Sequence, residues 1–318
     1  MRLRLGILAL ALVLAAPDVF AQSKLAVQKL AEGVWAATPD RGGNVGWFLY
    51  GDGVVVIDSG IDNAIAREIL REVAGTTGGK PVRFLILTHA HADHSTGARD
   101  FVAAGAQVIC HENAASTLLA YVTQPARGAS DPMSGKKVSP TLMTVSERLI
   151  LFDGTRRADV QWLGPAHTTG DLVVLLPNEK ILFAGDLALN GRVPDLHLPD
   201  ADPGAWAKTL PRLAAAPVET MVPGHGAIGP RTGISDTLAY VRGLDEIVQR
   251  LIRSGVAEEY LDIRLREPDN RIPNVPLSEP HLENARAVYR REKAKLTQPA
   301  PTPTPRPAVP APTRPPAS

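Results

Sequence analysis

The stretch Thr88-His89-Ala90-His91-Ala92-Asp93-His94 constrains this chain more than any other, because it sets four metal-ligating side chains within six residues. It directly follows an apolar, strand-like run at residues 84–87 (FLIL). In an extended segment His89 and His91 point to the same side, and the alanines between the ligands leave room for a metal and its water. Asp93 and His94 fall where the chain is expected to turn into a helix beginning near Ser95. Loops at strand ends are where a rigid scaffold carries its sites, so the residues after this strand are the first candidate for chemistry.

Three more ligands recur in the same context of strand, glycine and polar singleton. His167 follows an expected strand at 158–163, in Gly164-Pro165-Ala166-His167-Thr168-Thr169-Gly170-Asp171. Asp186 follows 181–184, in Phe183-Ala184-Gly185-Asp186-Leu187, and His225 follows 219–222, in Val222-Pro223-Gly224-His225-Gly226. Taken singly, each histidine reads as a satisfied core residue. Taken together, they read as several strands delivering ligands to one edge of a sandwich, and five of the eight histidines belong to the set. His111 and His281 read as incidental. Cys110 ends an apolar run and reads as a small buried hydrophobe rather than a nucleophile; as the one cysteine of the chain it excludes an internal disulfide.

The HxHxDH run at 89–94, followed in order by His167, Asp186 and His225, resembles the metallo-β-lactamase superfamily. So do residues 54–60 (VVVIDSG), an early strand ending at Asp58. The resemblance covers roughly residues 30–230. It implies an α/β fold, the αββα four-layer sandwich of two sheets covered by helices. It also implies two zinc ions per chain: His89, His91 and His167 on one, Asp93, His94 and His225 on the second, and Asp186 bridging both. Imidazole and carboxylate donors without thiolate suit Zn²⁺ and leave iron or manganese open. Asp58 is expected to hydrogen-bond a ligand rather than bind metal. One zinc lowers the pKa of its water from 15.7 to about 7, so the implied nucleophile is a shared hydroxide, with Asp93 orienting it. The implied reaction is hydrolysis of a small ester, thioester or lactam.

Departures from the family pattern narrow this. Zinc lactamases that resemble the chain often carry Cys where Asp186 stands and Lys three residues later, where this chain has Leu189. A missing cation removes a charge-assisted contact of about 1.5–3 kcal/mol, which argues against efficient β-lactam hydrolysis. An aspartate bridge resembles the glyoxalase II branch. Two alternatives stay open: a β-lactamase proper, and a one-iron sulfur (persulfide) dioxygenase with the same ligand types. Residues 40–47 (DRGGNVGW) lie where the superfamily has a hairpin over the metals, so Trp47 reads either as cover for an apolar substrate group or as a core residue. The loop 190–203, with Asn190, Arg192 and His197, is expected to line the cleft. Arg242, Arg250, Arg253, Arg264, Arg266 and Arg271 can be read as an anion site, whereas Arg242 and Arg253, at helical spacing, read as a solvated face.

Residues 1–21 read as a cleaved export signal: Arg2 and Arg4, an apolar run at 5–16, then Val19-Phe20-Ala21 before the cut. Twelve apolar residues fall short of the roughly 20 that span a bilayer, so no membrane anchor is expected after cleavage and the product is expected to be periplasmic or secreted. Residues 22–296 form the expected hydrolase domain with C-terminal helices. Residues 297–318, with nine prolines in 22 positions, are expected to be an extended tail. With 34 basic against 33 acidic side chains, no basic face points to nucleic acid. The expected partner is a small-molecule substrate.

Overall fold

The computed structural model describes residues 25–123 and 141–297. These pack as two compact units, one running to Cys110 and resuming over Ala115–Thr144, the other made of His111–Ala114 and everything from Val145 onward. The expected signal segment lies outside the described residues.

The first unit opens with β1 (Ala26–Ala31), β2 (Val34–Thr38), β3 (Val45–Tyr50) and β4 (Gly53–Ile57), an antiparallel meander. The helix α1 (Asn63–Thr77) then carries the chain back, so that β5 (Val82–Ile86) pairs parallel with β4. Two short helices, α2 (Ala92–Ser95) and α3 (Ala98–Ala103), make the next crossover to β6 (Gln107–His111), again parallel. A helix α4 (Ala115–Thr123) precedes β7 (Leu142–Val145), which completes a seven-stranded sheet in chain order. The helix α1 starts where the Asp62 carboxylate accepts Ala64 N and Ile65 N, at 2.9 and 3.0 Å, capping two otherwise unbonded amides. It buries Ile65, Ile69 and Val73, one helical stripe.

The second unit holds β8 (Arg148–Phe152), β9 (Arg157–Trp162), β10 (Leu172–Leu176) and β11 (Ile181–Gly185), then α5 (Pro203–Ala214), β12 (Thr220–Pro223) and β13 (Gly229–Pro230). The helices α6 (Thr232–Arg253), α7 (Leu261–Arg264) and α8 (Glu279–Thr297) follow. Its six-stranded sheet runs β13-β12-β11-β10-β9-β8. The strand β10 reads LVVLL and is buried throughout, the continuous apolar run of a strand covered on both faces. The core of this unit joins that sheet to α5, α6 and α8 through Trp206, Leu210, Val241, Leu244, Val248 and Val288.

Three local features differ from the sequence expectation. The helix expected at 95–103 is two helices broken at Gly97, where a Cβ would stand 2.2 Å from the Ser59 carbonyl oxygen. The sequence pattern also suggests a helix over 111–121, but residues 112–114 form a tight 3-10 turn and the helix begins at Ala115. The strand β1 is largely exposed and lacks the apolar alternation that marks a strand; its pairing with β2, not its composition, makes it one. Of the expected proline-rich tail only Thr297 is described, and it ends α8; the rest lies outside the described residues.

Candidate metal centre

In the first unit β4 and β5 run parallel, so Asp58 and the 88–94 stretch leave the same edge of the sheet. His91 stands in extended backbone just before α2, which begins at Ala92, earlier than expected, and carries Asp93 and His94 in its single turn. His89 and His94 are buried, at 1% and 0% exposed. The His89 ring lies 4.7 Å from that of His91 and 4.4 Å from that of His94, centre to centre. Asp93 is partly exposed, with Oδ2 3.5 Å from His94 Nε2.

Asp58 organises this cluster. It sits at φ 62°, left-handed backbone that Asp tolerates better than most residues. Its buried carboxylate accepts Thr88 N at 2.8 Å, Thr88 Oγ1 at 2.9 Å and His94 Nδ1 at 2.9 Å. A carboxylate only accepts, so His94 carries its proton on Nδ1 and presents the Nε2 lone pair. The Thr88 hydroxyl has one hydrogen and gives it to Asp58. It therefore accepts from His89 Nδ1, 3.0 Å away, and His89 too presents Nε2. The next residue holds the other end of His94: Ser59 N and Oγ donate to the His94 carbonyl at 2.7 and 3.0 Å. Gly43 lies flat against the His94 ring, where a Cβ would come within 2.2 Å.

In the second unit β11 and β12 are parallel, and β9 and β11 are both antiparallel to β10. The chain thus leaves β9, β11 and β12 at one common edge, and His167, Asp186 and His225 all follow there. Asp186 Oδ2 lies 3.5 Å from His167 Nε2 and 3.6 Å from His225 Nε2. Gly224 makes room for it: a Cβ there would stand 1.8 Å from Asp186 Oδ1. The Trp206 ring meets His167 edge-on at 5.6 Å. The turn after His167 is tied by Asp171, whose carboxylate accepts Thr168 N and Thr168 Oγ1, both at 2.8 Å. Burial pushes the Asp171 carboxyl up to about 7 against those two bonds.

Among the described residues the candidate metal-binding groups are drawn from His89, His91, Asp93, His94, His167, Asp186 and His225, the seven singled out in the sequence. Asp58 is not among them, in keeping with its role as a hydrogen-bond partner. The donor set fits a borderline divalent metal, being imidazole and carboxylate without thiolate. The close approaches at Gly43 and Gly224 are fitted to the ligands themselves.

Two expectations need correction or refinement. Trp47 is fully buried and its Nε1 donates to Thr76 Oγ1 of α1 at 2.9 Å, so of its two readings the core one stands and it offers no surface to a substrate. Asn190 is not aimed at a substrate: its Nδ2 donates to Ala227 O at 2.8 Å and its N to His225 O at 3.4 Å. It locks the His225 loop. Sequence reading missed Thr88, Gly43 and Gly224 as positioning residues, although the recurring glycine beside each late ligand was the signal for Gly224. Cys110 is buried, and burial pushes its thiol up to about 11. His111 is a structural pin, stacked 5.0 Å from Trp162.

The sequence profile of the metallo-beta-lactamase superfamily matches residues 38–225. Among curated relatives, the chain is 29% identical over 174 residues to the 2,4-dinitroanisole O-demethylase subunit alpha of Nocardioides sp. (strain JS1661), 54% of this chain and 49% of that one. It thus spans about half that relative's length. It is 28% identical over 189 residues to metallo-beta-lactamase type 2 of Bacillus cereus, 58% of this chain and 68% of that protein. A solved metallo-beta-lactamase from Pontibacter korlensis matches with a TM-score of 0.57 at 26% identity, covering 69% of this chain and 99% of that one. The chain belongs to the metallo-β-lactamase superfamily and has its αββα fold. The matched stretch ends at His225, so α6, α7 and α8 lie beyond it.

Proposed function

We propose that the chain is an exported zinc-dependent hydrolase acting on the carbonyl of a small ester, thioester or lactam, with two metal ions held by the seven His and Asp side chains. His89, His91 and His167 hold one, Asp93, His94 and His225 the other, and Asp186 both. The supporting observation is the Asp186 carboxylate, whose Oδ2 is nearly equidistant from His167 Nε2 and His225 Nε2, at 3.5 and 3.6 Å. One carboxylate thereby serves a histidine assigned to each metal.

When bound, such a metal pair supplies Lewis acidity and brings the pKa of water toward about 7. The rest is the work of the chain's own residues. Asp58 and Thr88 fix His94 and His89 with their Nε2 lone pairs presented. Asp93, on the first turn of α2, accepts a hydrogen bond from the attacking water and turns its lone pair toward the carbonyl carbon. Trp206, edge-on to His167, keeps bulk water from that ligand. Leu189 is buried, and its N donates to Thr237 Oγ1 at 3.1 Å, so this position has no cation for a β-lactam carboxylate. That supports an ester or thioester over a lactam. Export follows from residues 1–21 read as a signal, and a small molecule is the partner.

The test is metal content of protein purified without chelators, followed by turnover of nitrocefin and S-lactoylglutathione by the same sample. Two zincs per chain with turnover of either substrate bears the reading out. One iron per chain, with oxygen uptake on a persulfide, overturns it in favour of a sulfur dioxygenase.

A further inference from the structure

An open groove of about 670 Å³ lies on the second unit, between one face of α6 and the segment 269–276, with residues 189–193 at one end. The volume is that of a small-molecule site, about 300–1,000 Å³. Apart from residues 189–193 its walls lie beyond the stretch matched by the superfamily profile, so they are an addition of this chain's C-terminal region.

The shape follows from the helix. Asp236, Tyr240, Gly243, Ile247 and Arg250 line the groove and, at three- and four-residue spacing, form one stripe of α6. From Asp236 to Arg250 the helix rises about 21 Å. Lining residues spread over that length make the groove elongated, a slot for an extended chain rather than a compact group. Its middle is apolar, with Tyr240, Gly243 and Ile247 on the helix and Ile272 and Val275 opposite.

Its charges cancel. Arg192, Arg250 and Arg271 stand against Asp236, Glu246 and Asp269. Arg250 is tied to Asp269 O at 2.8 Å and Asn270 Oδ1 at 2.6 Å, and Arg271 to Arg266 O at 3.0 Å. A balanced rim gives neither an anion nor a cation an electrostatic advantage, so the occupant this slot suits is uncharged and apolar.

One end of the slot is walled by the segment that follows Asp186. Leu189, in its wall, is three residues past Asp186, and Asn190 ties the same segment to the His225 loop. Gly233, in the first turn of α6, touches that segment so closely that a Cβ would lie 2.1 Å from Asn190 Oδ1. A linear molecule in the slot therefore leaves it at the segment that carries Asp186 and steadies His225.

We propose that this slot takes the uncharged, linear apolar chain of the substrate, and that the natural substrate is an ester or thioester with a medium-length acyl chain. The proposal rests on the hydrolase reading for its chemistry: water adds across the acyl–oxygen or acyl–sulfur bond, giving the carboxylic acid and the alcohol or thiol. Gly243, midway along, is the gauge of the slot. A Cβ there meets Ile272 at 3.5–3.8 Å, ordinary contact, so Gly243→Ala fills the narrow gap between α6 and Ile272 and Gly243→Phe obstructs the groove on either side of it. Val275→Trp obstructs the groove from the opposite wall.

The experiment uses the metal-loaded full chain with two readouts: binding of the neutral fluorophore N-phenyl-1-naphthylamine with displacement by decanol, and kcat/KM for p-nitrophenyl acetate against decanoate. The expected results are a displaceable probe and a preference for decanoate of about tenfold or more. Both should decline from wild type through Gly243→Ala to Gly243→Phe, and Val275→Trp should match the last. Circular dichroism screens out any variant that fails to fold. Probe binding that closing variants abolish, without turnover of any ester, upholds the slot and overturns the hydrolase reading. Ester turnover with no chain-length preference and no probe binding overturns the slot alone, as does probe binding that both folded closing variants leave intact.

Discussion

Replacing Asp58 by Asn tests the logic of the metal centre at a residue that holds no metal. Asn matches Asp in size and is at ease at φ 62°, so the backbone stays as it is and only the acceptor changes. With the new amide oxygen kept on Thr88 N, the amide nitrogen replaces the oxygen that now accepts from Thr88 Oγ1 and His94 Nδ1, each at 2.9 Å. Facing a donor, His94 Nδ1 must give up its proton, which moves to Nε2. The Thr88 hydroxyl, turned away from residue 58, donates to His89 Nδ1 instead, 3.0 Å away, and His89 also becomes protonated on Nε2. One substitution thus blocks the lone pair of a ligand assigned to each metal. Loss of an outer hydrogen-bond partner lowers metal affinity about 10–100-fold, or about 1.4–2.8 kcal/mol per ion, here expected at both ions. The apoprotein should lose about 1–3 kcal/mol for the altered buried acceptor. Zinc competition against a chromophoric chelator measures the affinities, and long-range ¹H–¹⁵N spectra of the metal-free protein report the tautomers. Asp62→Asn is the control, since Asn caps a helix as well as Asp. Wild-type affinity at both ions in Asp58→Asn, or Nδ1-protonated rings persisting in its spectra, refutes the reasoning.

Gly224→Ala sets a methyl 1.8 Å from Asp186 Oδ1 and 2.7 Å from the Gly185 carbonyl carbon. Metal content should fall sharply and the melting temperature with it, whereas Gly229→Ala, which meets nothing within 4 Å, should change neither. Asn284→Leu removes three bonds by which α8 holds its neighbours: to Pro194 O at 2.7 Å, to Tyr240 Oη at 3.0 Å and from His197 N at 2.9 Å. Urea melts should show a loss of about 2–4 kcal/mol. His281 is kept neutral by burial, below its ordinary 6.5. The unfolded chain then takes up a proton that the folded chain refuses, so His281 makes stability fall as the pH drops through 6.5. His281→Gln should flatten that part of the pH profile of urea midpoints, and an unchanged slope would count against it. Cys110, buried with its thiol pushed up to about 11, should resist iodoacetamide at pH 8 in the folded chain and react once unfolded.

The candidate ligands stood out because the first four follow one apolar strand and each of the last three follows another, and strand direction within each unit brings those strand ends to one edge. Parallel pairing of β4 with β5 and of β11 with β12 turns sequence repetition into a common edge, with no side-chain detail required. Trp47 was not legible for the opposite reason. A tryptophan at a hairpin flanked by glycines is equally suited to cover a cleft or to fill a core, and the choice fell to Thr76, 29 residues on, whose hydroxyl accepts its indole N–H. The strand β1 escaped notice because an exposed edge strand needs only one partner and carries no apolar alternation.

The C-terminal region shows the same limit on a larger scale. Its arginines looked like a solvated face or an anion site when read along helices. In the fold Arg250 and Arg271 are instead fastened to the carbonyls and amide of the 266–270 segment, which sets one wall of the slot beside α6. Charges that would attract an anion if free are used to shape a neutral groove. What a basic residue does in such a region follows from the partner it reaches across the turn, and residues far apart in sequence decide that partner. The ligands before residue 226 can therefore be read one strand at a time. The specificity that α6 and the segment after it build beside them can be read only after the chain has folded back on itself.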